Sequence, residues 1–507
     1  MTTRSFQALA LALMLAGVAL LAGLIVARAG LLVYTLDDPY IHLALAEELL
    51  RGNYGINPGE HASPSSSMLY APLLAPLLAL GLGGWAPLVL ALAGQALAIW
   101  LLAGIAAPLL ARHGVGLATL AAALLVLAVN GYALPLTGME HPLHVAASLA
   151  VVLGVWRAAQ GAAPGWLVPA ILLAALIRFE GYALALAAIG VLAMLRHWRV
   201  AGTALAGLVA LTLAYGAAMA ALGLPPLPSS VMVKSQASAA AADAALGDAL
   251  VAVIVNGVRA LSHRWGVIFA LGLAGFAVAA LRPGAPREGR AVAVLGIAVL
   301  GAHLLVGRYG WFGRYEVYAT AVLLAVALLL LPRGRAVAWG AALALAVIGW
   351  AYVPVTLQTP AAALSIHQQH HQMHRFATEF FPYPVAVNDL GYVAWRNDMP
   401  VLDLWGLGSE DARRLTATQG RTVETLRALT AGRVGWAMVY DIAFAGAIPP
   451  EWCRIAALTT SRVIAASDTV AFYRIDPALD AGMRAALTDF APTLPEGAQL
   501  TIFPCPE

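Results

Sequence analysis

Two adjacent carboxylates, Asp37 and Asp38, stand where a long apolar run ends and a helix-forming segment begins. Pro39 favours the first turn of that helix, and an aspartate just before a helix is a good N-terminal cap. Capping explains one of the two side chains but not both, because adjacent carboxylates repel each other. Such a pair suits a general base, a metal ligand or both, so capping and catalysis are open alternatives.

Other charged side chains lie in short segments between apolar runs. Glu140, Arg178 and Glu180 either pair to neutralise buried charge or line a binding pocket. Basic side chains near the later runs either reach the membrane interface or bind phosphate oxygens. Lys234 favours phosphate binding, because it lies in a proline-bounded loop and not at the end of a run. The other members of this basic set are Arg264, Arg308 and Arg314.

The surrounding sequence is too apolar for a soluble protein of its length. Of 507 residues, 61% are hydrophobic and 11% are charged, whereas about 25% are charged in an ordinary soluble domain. Because too few polar residues remain to cover a soluble fold, we expect a polytopic α-helical membrane protein with the lipid bilayer as its solvent. The small net charge of +3 gives no indication of a nucleic-acid partner.

About eleven transmembrane helices are predicted, because about 20 apolar residues cross the hydrocarbon core. The apolar runs are 7–33, 86–109, 116–136, 142–158, 165–178, 182–196, 201–222, 265–281, 291–307, 315–331 and 336–357. The stretch 68–82 is apolar too, but it contains two prolines, and counting it as a span would misplace every later basic loop. We therefore predict a re-entrant or membrane-surface helix there.

Basic loops at alternate ends of the spans predict the orientation. If these loops are cytoplasmic, the N-terminus is cytoplasmic and the C-terminal domain, residues 358–507, lies outside. The transmembrane module is then 1–357, with a first loop at 34–67 on the outer side. The loop residues concerned are Arg112, Arg157, Arg196, Arg199, Arg282, Arg287, Arg290, Arg333 and Arg335.

The C-terminal domain has the pattern of a small α/β domain. The predicted strands are Val385–Val387, Val401–Leu404, Val434–Val439, Arg462–Ala466 and Thr469–Ile475, and the predicted helix is Thr422–Ala431. Both cysteines of the chain, Cys453 and Cys505, fall in this domain. In an oxidising compartment a disulfide is more natural than two free thiols.

Four histidines precede the domain at helical spacing. His367, His370, His371 and His374 share one helix face. Such a face either binds zinc or forms a polar, pH-sensitive surface between membrane and domain. No carboxylate or cysteine accompanies the set in the sequence, which favours the polar surface.

Several motifs together resemble the GT-C superfamily of membrane glycosyltransferases, most closely its arabinofuranosyltransferase-like branch. The first is DDPYIHLALAEELLRGNYGINPGE at 37–60. It is followed in the expected order by TGMEHPL at 137–143, IRFEGY at 177–182, LPSSVMVKS at 227–235 and VAVNDLGYVAW…VLDLWGL at 385–407. Phe179 replaces the usual proline of the third motif, and Ser229 replaces the usual asparagine of the fourth.

This resemblance implies an inverting glycosyltransferase on the outer face of a bacterial cytoplasmic membrane. A polyprenyl-phosphate-linked sugar would be the donor, and a glycan, lipid or protein of the cell envelope the acceptor. Asp38, assisted by Asp37, would act as the base. The basic set named above would bind the donor phosphate. The sugar and acceptor pocket would be formed by His42, Glu140, Arg178 and Glu180.

The superfamily is divided on metal dependence, so no cofactor is certain. A magnesium or manganese ion at Asp37 and Asp38 is an open alternative. A multi-span transporter or lipid-linked-sugar flippase is the rival function, although it predicts inverted repeats that the sequence does not clearly show. A non-catalytic scaffold is a third function, which the presence of both aspartates disfavours.

The predicted orientation can be tested with topology reporters. Fusions after residues 112, 198, 285 and 334 are expected to report cytoplasm, because the basic loops lie there. Fusions after residues 60, 240 and 400 are expected to report the outer side. A cytoplasmic signal at 400 would overturn the orientation.

Overall fold

A computed structural model describes residues 1–234 and 246–505. Helices dominate the chain up to residue 380. They are α1 (Thr3–Ala29), α2 (Asp38–Leu50), α3 (Tyr70–Ala79), α4 (Ala86–Leu110), α5 (Val115–Ala128), α6 (His141–Ala159), α7 (Leu167–Ile177), α8 (Gly181–Met194), α9 (Trp198–Ala221), α10 (Ser229–Lys234), α11 (Leu246–Ala260), α12 (Arg264–Leu281), α13 (Arg287–Val306), α14 (Val317–Leu330), α15 (Arg335–Trp350), α16 (Val353–Gln368) and α17 (His370–Arg375).

Seven helical stretches of the described chain are long and apolar enough to cross a membrane, and six shorter apolar helices accompany them. Each apolar run predicted to span coincides with one of these helices. Large apolar side chains such as Leu20, Leu271 and Leu343 are more than half exposed on their outer faces. Such extensive apolar surface suits lipid contact. The count of eleven spans stays a prediction.

The short helix α3 occupies the stretch predicted not to span. It has 10 residues, about 15 Å of helix, which is half the thickness of the hydrocarbon core. Pro76 lies inside it, and it packs against α2. Its length agrees with a re-entrant or surface helix.

The C-terminal domain contains one six-stranded mixed sheet. The strands are β1 (Val385–Val387), β2 (Val401–Asp403), β3 (Trp436–Val439), β4 (Cys453–Thr459), β5 (Thr469–Arg474) and β6 (Gln499–Ile502), in the order β2-β1-β3-β5-β4-β6. Strand β1 runs parallel to β2 and β3, whereas the β3–β5, β5–β4 and β4–β6 pairs are antiparallel. The helices of this domain are α18 (Gly391–Ala394), α19 (Glu410–Gln419), α20 (Val423–Thr430) and α21 (Asp480–Phe490).

One predicted strand is wrong. Arg462–Ala466 is not a strand, although its apolar, branched residues suggest one; the strand is Cys453–Thr459. Thr459 pairs with Thr469 in the β4–β5 ladder, so the residues between them must form the connection. The Thr460 N–H closes that connection by donating to the Asp468 carbonyl oxygen at 2.9 Å.

The disulfide between Cys453 and Cys505 is present, with a Cα–Cα distance of 5.6 Å. It joins the first residue of β4 to the end of the chain just beyond β6, and it closes a loop of 52 residues. The cross-link therefore holds a terminal segment that would otherwise fray from an edge strand.

Loss of this cross-link is expected to destabilise the C-terminal domain. Cys505→Ser should lower its free energy of unfolding by about 3–4 kcal/mol in the chain-entropy account. Thermal unfolding of the purified chain measures the effect, and non-reducing peptide mapping identifies the bond. The control is Cys453→Ser combined with Cys505→Ser, which should be no less stable than either single variant. Two thiols that alkylate without prior reduction would contradict the prediction.

Candidate active site

A cavity of about 890 Å³ collects most of the predicted site residues. It lies between the start of α2, the α7–α8 turn, α10, α11 and the loop that joins α13 to α14. All of these segments belong to the side that the basic loops predict to be extracytoplasmic. The charged and imidazole side chains in its wall are Asp38, His42, Arg178, Glu180, Arg259, Arg308 and Arg314.

Asp38 is held in the cavity wall by an arginine. The Arg314 guanidinium donates from Nη2 to Asp38 Oδ2, and the same nitrogen lies 3.2 Å from the Tyr315 hydroxyl. The Asp38 side chain is 21% exposed, whereas that of Arg314 is 2% exposed. The Asp38 carboxylate is therefore accessible from the cavity, whereas the Arg314 guanidinium is almost fully buried against it.

Arg314 has hydrogen-bonding capacity left over. Its Nε and Nη1 groups are buried, and neither has a partner among the described residues. A guanidinium carries five N–H donors in a planar fork that fits carboxylate and phosphate oxygens. Unsatisfied buried donors are unfavourable, so these two groups leave Arg314 with capacity to bind a further acceptor.

The loop before Arg314 has a strained backbone that fixes its position. Gly310, Trp311, Phe312 and Gly313 all have positive φ, at 81°, 50°, 67° and 68°. The Gly310 N–H donates to Glu316 Oε2 at 2.8 Å, and the Phe312 carbonyl oxygen accepts from Asn130 Nδ2 at 3.1 Å. Left-handed conformations are unfavourable for Trp and Phe, so such contacts are needed to hold the turn.

Arg178 sits between two glutamates. Its Nη1 donates to Glu140 Oε1 at 2.5 Å, and its Nε and Nη2 donate to Glu180 at 3.0 and 2.7 Å. Glu140 is fully buried and does not line the cavity, whereas Arg178 and Glu180 do. His42 Nε2 lies 4.0 Å from the second Glu140 oxygen. Charge neutralisation explains Glu140, but Glu180 also faces the cavity.

Only part of the predicted basic set lines the cavity. Arg308 lines the cavity and lies over the Tyr315 ring at 5.3 Å. Arg264 does not line it, because its guanidinium donates to the Ala351 carbonyl oxygen at 3.1 Å. Lys234 ends α10, and its side chain falls outside the described part of the chain. Arg259 on α11 lines the cavity and was missed, since nothing in the sequence sets it apart from other loop arginines.

Asp37 faces away from the cavity and toward the C-terminal domain. Its two carboxylate oxygens accept the N–H groups of Gly391 and Tyr392, each at 2.8 Å. It makes no side-chain capping bond to α2, so the capping alternative is wrong for this residue. Burial raises the pKa of Asp37 to about 6; nearby His370 opposes that rise and Asp389 adds to it.

The NPGE turn of the first loop also binds the C-terminal domain. Asn57 Oδ1 accepts the Val401 N–H at 2.9 Å, and Asn57 Nδ2 donates to the Val401 carbonyl oxygen at 3.0 Å. Val401 opens β2, the edge strand of the sheet. The side-chain amide of Asn57 therefore pairs with the N–H and carbonyl groups of Val401 at the sheet edge, as a neighbouring strand would. Glu60 holds the turn by accepting from Asn57 Nδ2 at 2.8 Å.

The four histidines do not all lie on one helix face, because the helix breaks at Gln369 between α16 and α17. His370 turns to Asp389, with Nε2 and Oδ2 3.0 Å apart. The rings of His367 and His371 stack at 5.0 Å, and those of His371 and His374 at 6.4 Å. Among the described residues, the metal-competent group contains only His370 of the four, together with Asp37 and Asp389.

Sequence comparison gives little about this chain. A profile described as a domain of unknown function (DUF8728) matches residues 362–473, which is part of the C-terminal domain. No curated protein matches the chain.

Structure comparison finds the oligosaccharyltransferase of Archaeoglobus fulgidus. Its crystal structure with zinc and sulfate is 12% identical in sequence, with a TM-score of 0.49 over 92% of this chain and 73% of that one. The apo crystal structure is 12% identical, with a TM-score of 0.43 over 94% and 78%. At these levels of similarity, the chemistry of the site has to come from this chain's own residues.

Gly391 is predicted to be intolerant of any side chain. A Cβ atom there would overlap the backbone oxygen and carboxylate of Asp37, which cannot move without breaking the contact between the first loop and the domain. Gly391→Ala should cost about 1–3 kcal/mol, as overpacking does, and should make the chain more sensitive to limited proteolysis between the two parts.

The matched control is Gly482→Ala. This glycine lies within α21, and an added Cβ would come no closer than 3.7 Å to Phe381. The change should be neutral or stabilise the helix by up to about 1 kcal/mol. Equal thermal stability of the Gly391→Ala variant and wild type would show that the contact is unimportant.

Proposed function

We propose that this chain is a GT-C-like inverting glycosyltransferase that uses a polyprenyl-phosphate-linked sugar. The proposal is based on the cavity in which the Asp38 carboxylate is partly exposed and paired with Arg314. Two N–H groups of that arginine have no partner among the described residues. A carboxylate next to an anion site is the pair that transfer from a phosphate leaving group requires. The proposal rests on this geometry and on the sequence motifs.

Asp38 would be the catalytic base. An acceptor hydroxyl bound against it would lose its proton to the carboxylate and attack the anomeric carbon opposite the phosphate. The new bond to the acceptor oxygen forms as the bond to the phosphate oxygen breaks, so the configuration inverts. The ion pair with Arg314 orients the Asp38 carboxylate toward the cavity.

Arg314 and Arg308 would stabilise the leaving phosphate. The Nε and Nη1 groups of Arg314 are already desolvated, so little reorganisation is needed when charge develops on the phosphate. Arg308 is exposed to the cavity and forms no ion pair with any residue that the structure describes. Arg259, on the facing helix, adds a third cation. Lys234 remains a predicted contact on the basis of its sequence position.

The remaining walls suit a sugar bound to a lipid. Arg178 and Glu180 present both donors and acceptors, which sugar hydroxyls need. On the other side the cavity is lined by Val251 and Val255 of α11, and these side chains are also exposed at the protein surface. A polyprenyl chain could leave the cavity along that face into the lipid. His42 also lines the cavity and would contact the sugar or the acceptor.

We place the protein in a bacterial cytoplasmic membrane, with the C-terminal domain outside and a cell-envelope glycan, lipid or protein as acceptor. The transmembrane module 1–357 would carry the reaction. The domain 358–507 would complete the site by fixing the first loop. A flippase would also need a lipid-lined cavity, but it would have no use for a carboxylate poised beside the phosphate site.

Replacing the base is expected to abolish transfer without loss of the fold. Asp38→Asn should lower the transfer rate by at least about 100-fold, because general-base catalysis typically contributes that much or more. The assay uses proteoliposomes supplied with a panel of polyprenyl-phosphate pentoses and hexoses, and measures release of polyprenyl phosphate. Mass spectrometry of the cell-envelope glycans and lipids from a complemented deletion strain identifies the product.

The control is Glu47→Gln on the same helix. Glu47 accepts from Trp395 Nε1 at 3.2 Å outside the cavity, and a glutamine can still accept that bond. This variant should retain transfer. Wild-type turnover by the Asp38→Asn variant would refute the role of the base. Movement of the lipid across the bilayer without release of polyprenyl phosphate would identify a flippase.

A further inference from the structure

We infer that Asp37, His370 and Asp389 form a binding site for one divalent transition-metal ion. The three residues come from the first loop, from α17 and from the segment after β1. One ligating atom from each lies within 4.8 Å of the other two. The site joins the transmembrane module to the C-terminal domain and is separate from the Asp38 cavity, to whose wall none of the three belongs.

The distances fit a site that closes modestly around an ion. His370 Nε2 and Asp389 Oδ2 are already 3.0 Å apart. In tetrahedral coordination at about 2.0–2.2 Å, ligand atoms lie about 3.3–3.6 Å from one another. That pair is already within about 0.6 Å of this spacing. Because the three ligand atoms lie within 4.8 Å of one another, Asp37 has to approach by at most about 1.5 Å.

The charges also require a cation. Asp37 and Asp389 bring two carboxylates together, and neither forms an ion pair with a lysine or arginine in the described part of the chain. His370, which is 1% exposed, is the sole titratable cation in contact with them there. A single imidazolium would balance one carboxylate only, whereas a divalent ion balances both.

The donor set selects the class of metal. One imidazole with two carboxylates suits zinc, manganese or iron, whereas calcium and magnesium favour oxygen ligands alone. Groups around the ligands are arranged to hold them. The Gly391 and Tyr392 N–H groups orient Asp37, and the Tyr440 hydroxyl lies 2.9 Å from Asp389 Oδ2. Asp389 is 37% exposed, which provides a path for the ion.

Such an ion would act as a positioning element. It would bond directly to the residue next to Asp38 and to two residues of the C-terminal segment. Binding would stabilise the chain by mass action, because the unfolded chain does not bring the three ligands together. This inference does not depend on the transfer reaction, since metal content and thermal stability are read without any sugar donor.

The test uses the full-length chain, purified in detergent, stripped with a chelator and titrated with zinc or manganese. Wild type should retain one ion per chain by elemental analysis after dialysis. Its midpoint of thermal unfolding should rise by at least about 3 °C at saturating metal. His370→Gln and Asp389→Asn should lose both effects. The matched control, Asp398→Asn, changes an exposed carboxylate of the same domain and should keep them.

A measurement on the wild-type protein tests the inference even if the variants fail to fold. Pulsed electron paramagnetic resonance of the manganese-loaded protein should show coupling to one imidazole nitrogen. Less than stoichiometric metal in wild type, absence of that coupling, or undiminished binding in both ligand variants would each overturn the inference. In that event a protonated His370 balances one of the two carboxylates, and the N–H groups of Gly391 and Tyr392 stabilise the other.

Discussion

The two hydrogen bonds from Gly391 and Tyr392 to Asp37 are the contact on which the arrangement of the site depends. They fix the start of α2 against the C-terminal domain, and the aromatic ring of Tyr40, one turn later, packs on Tyr392 at 3.9 Å. Because Asp38 is the next residue in the chain, its position in the cavity is set by the same contact. The C-terminal domain therefore positions a residue of the candidate site, although none of the domain's residues that the structure describes lines the cavity.

Membrane electrostatics explain why so many charges meet at this end of the helices. A charged side chain at the centre of a bilayer costs about 2.5–3.5 kcal/mol on insertion scales, so charges are driven to helix ends and to one another. Arg178 is balanced by Glu140 and Glu180, and Arg314 by Asp38. Arg259 and Arg308 also line the cavity, and neither forms an ion pair with any residue that the structure describes, so positive charge predominates in the described wall.

Much of this organisation could be predicted from sequence, because it depends on periodicity and composition. The apolar runs coincide with helices, α3 is short where two prolines interrupt the pattern, and Cys453 pairs with Cys505. The cavity residues Asp38, Arg178 and Arg314 were also found, since charges are rare in such a sequence. Contacts between distant segments were not predictable. Nothing local shows that Asn57 completes an edge strand 344 residues away, or that a helix break at Gln369 separates His370 from its neighbours.

The adjacent aspartates form a pair in the sequence, but their side chains lie in different surroundings. Successive residues of an α-helix point about 100° apart, so two neighbouring carboxylates at a helix start readily face different surroundings. Here Asp38 turns to Arg314, and Asp37 turns to the backbone of the C-terminal domain. The pair therefore links the cavity to the C-terminal domain through one peptide bond. A change in how the domain holds Asp37 is therefore expected to move Asp38 in the cavity wall.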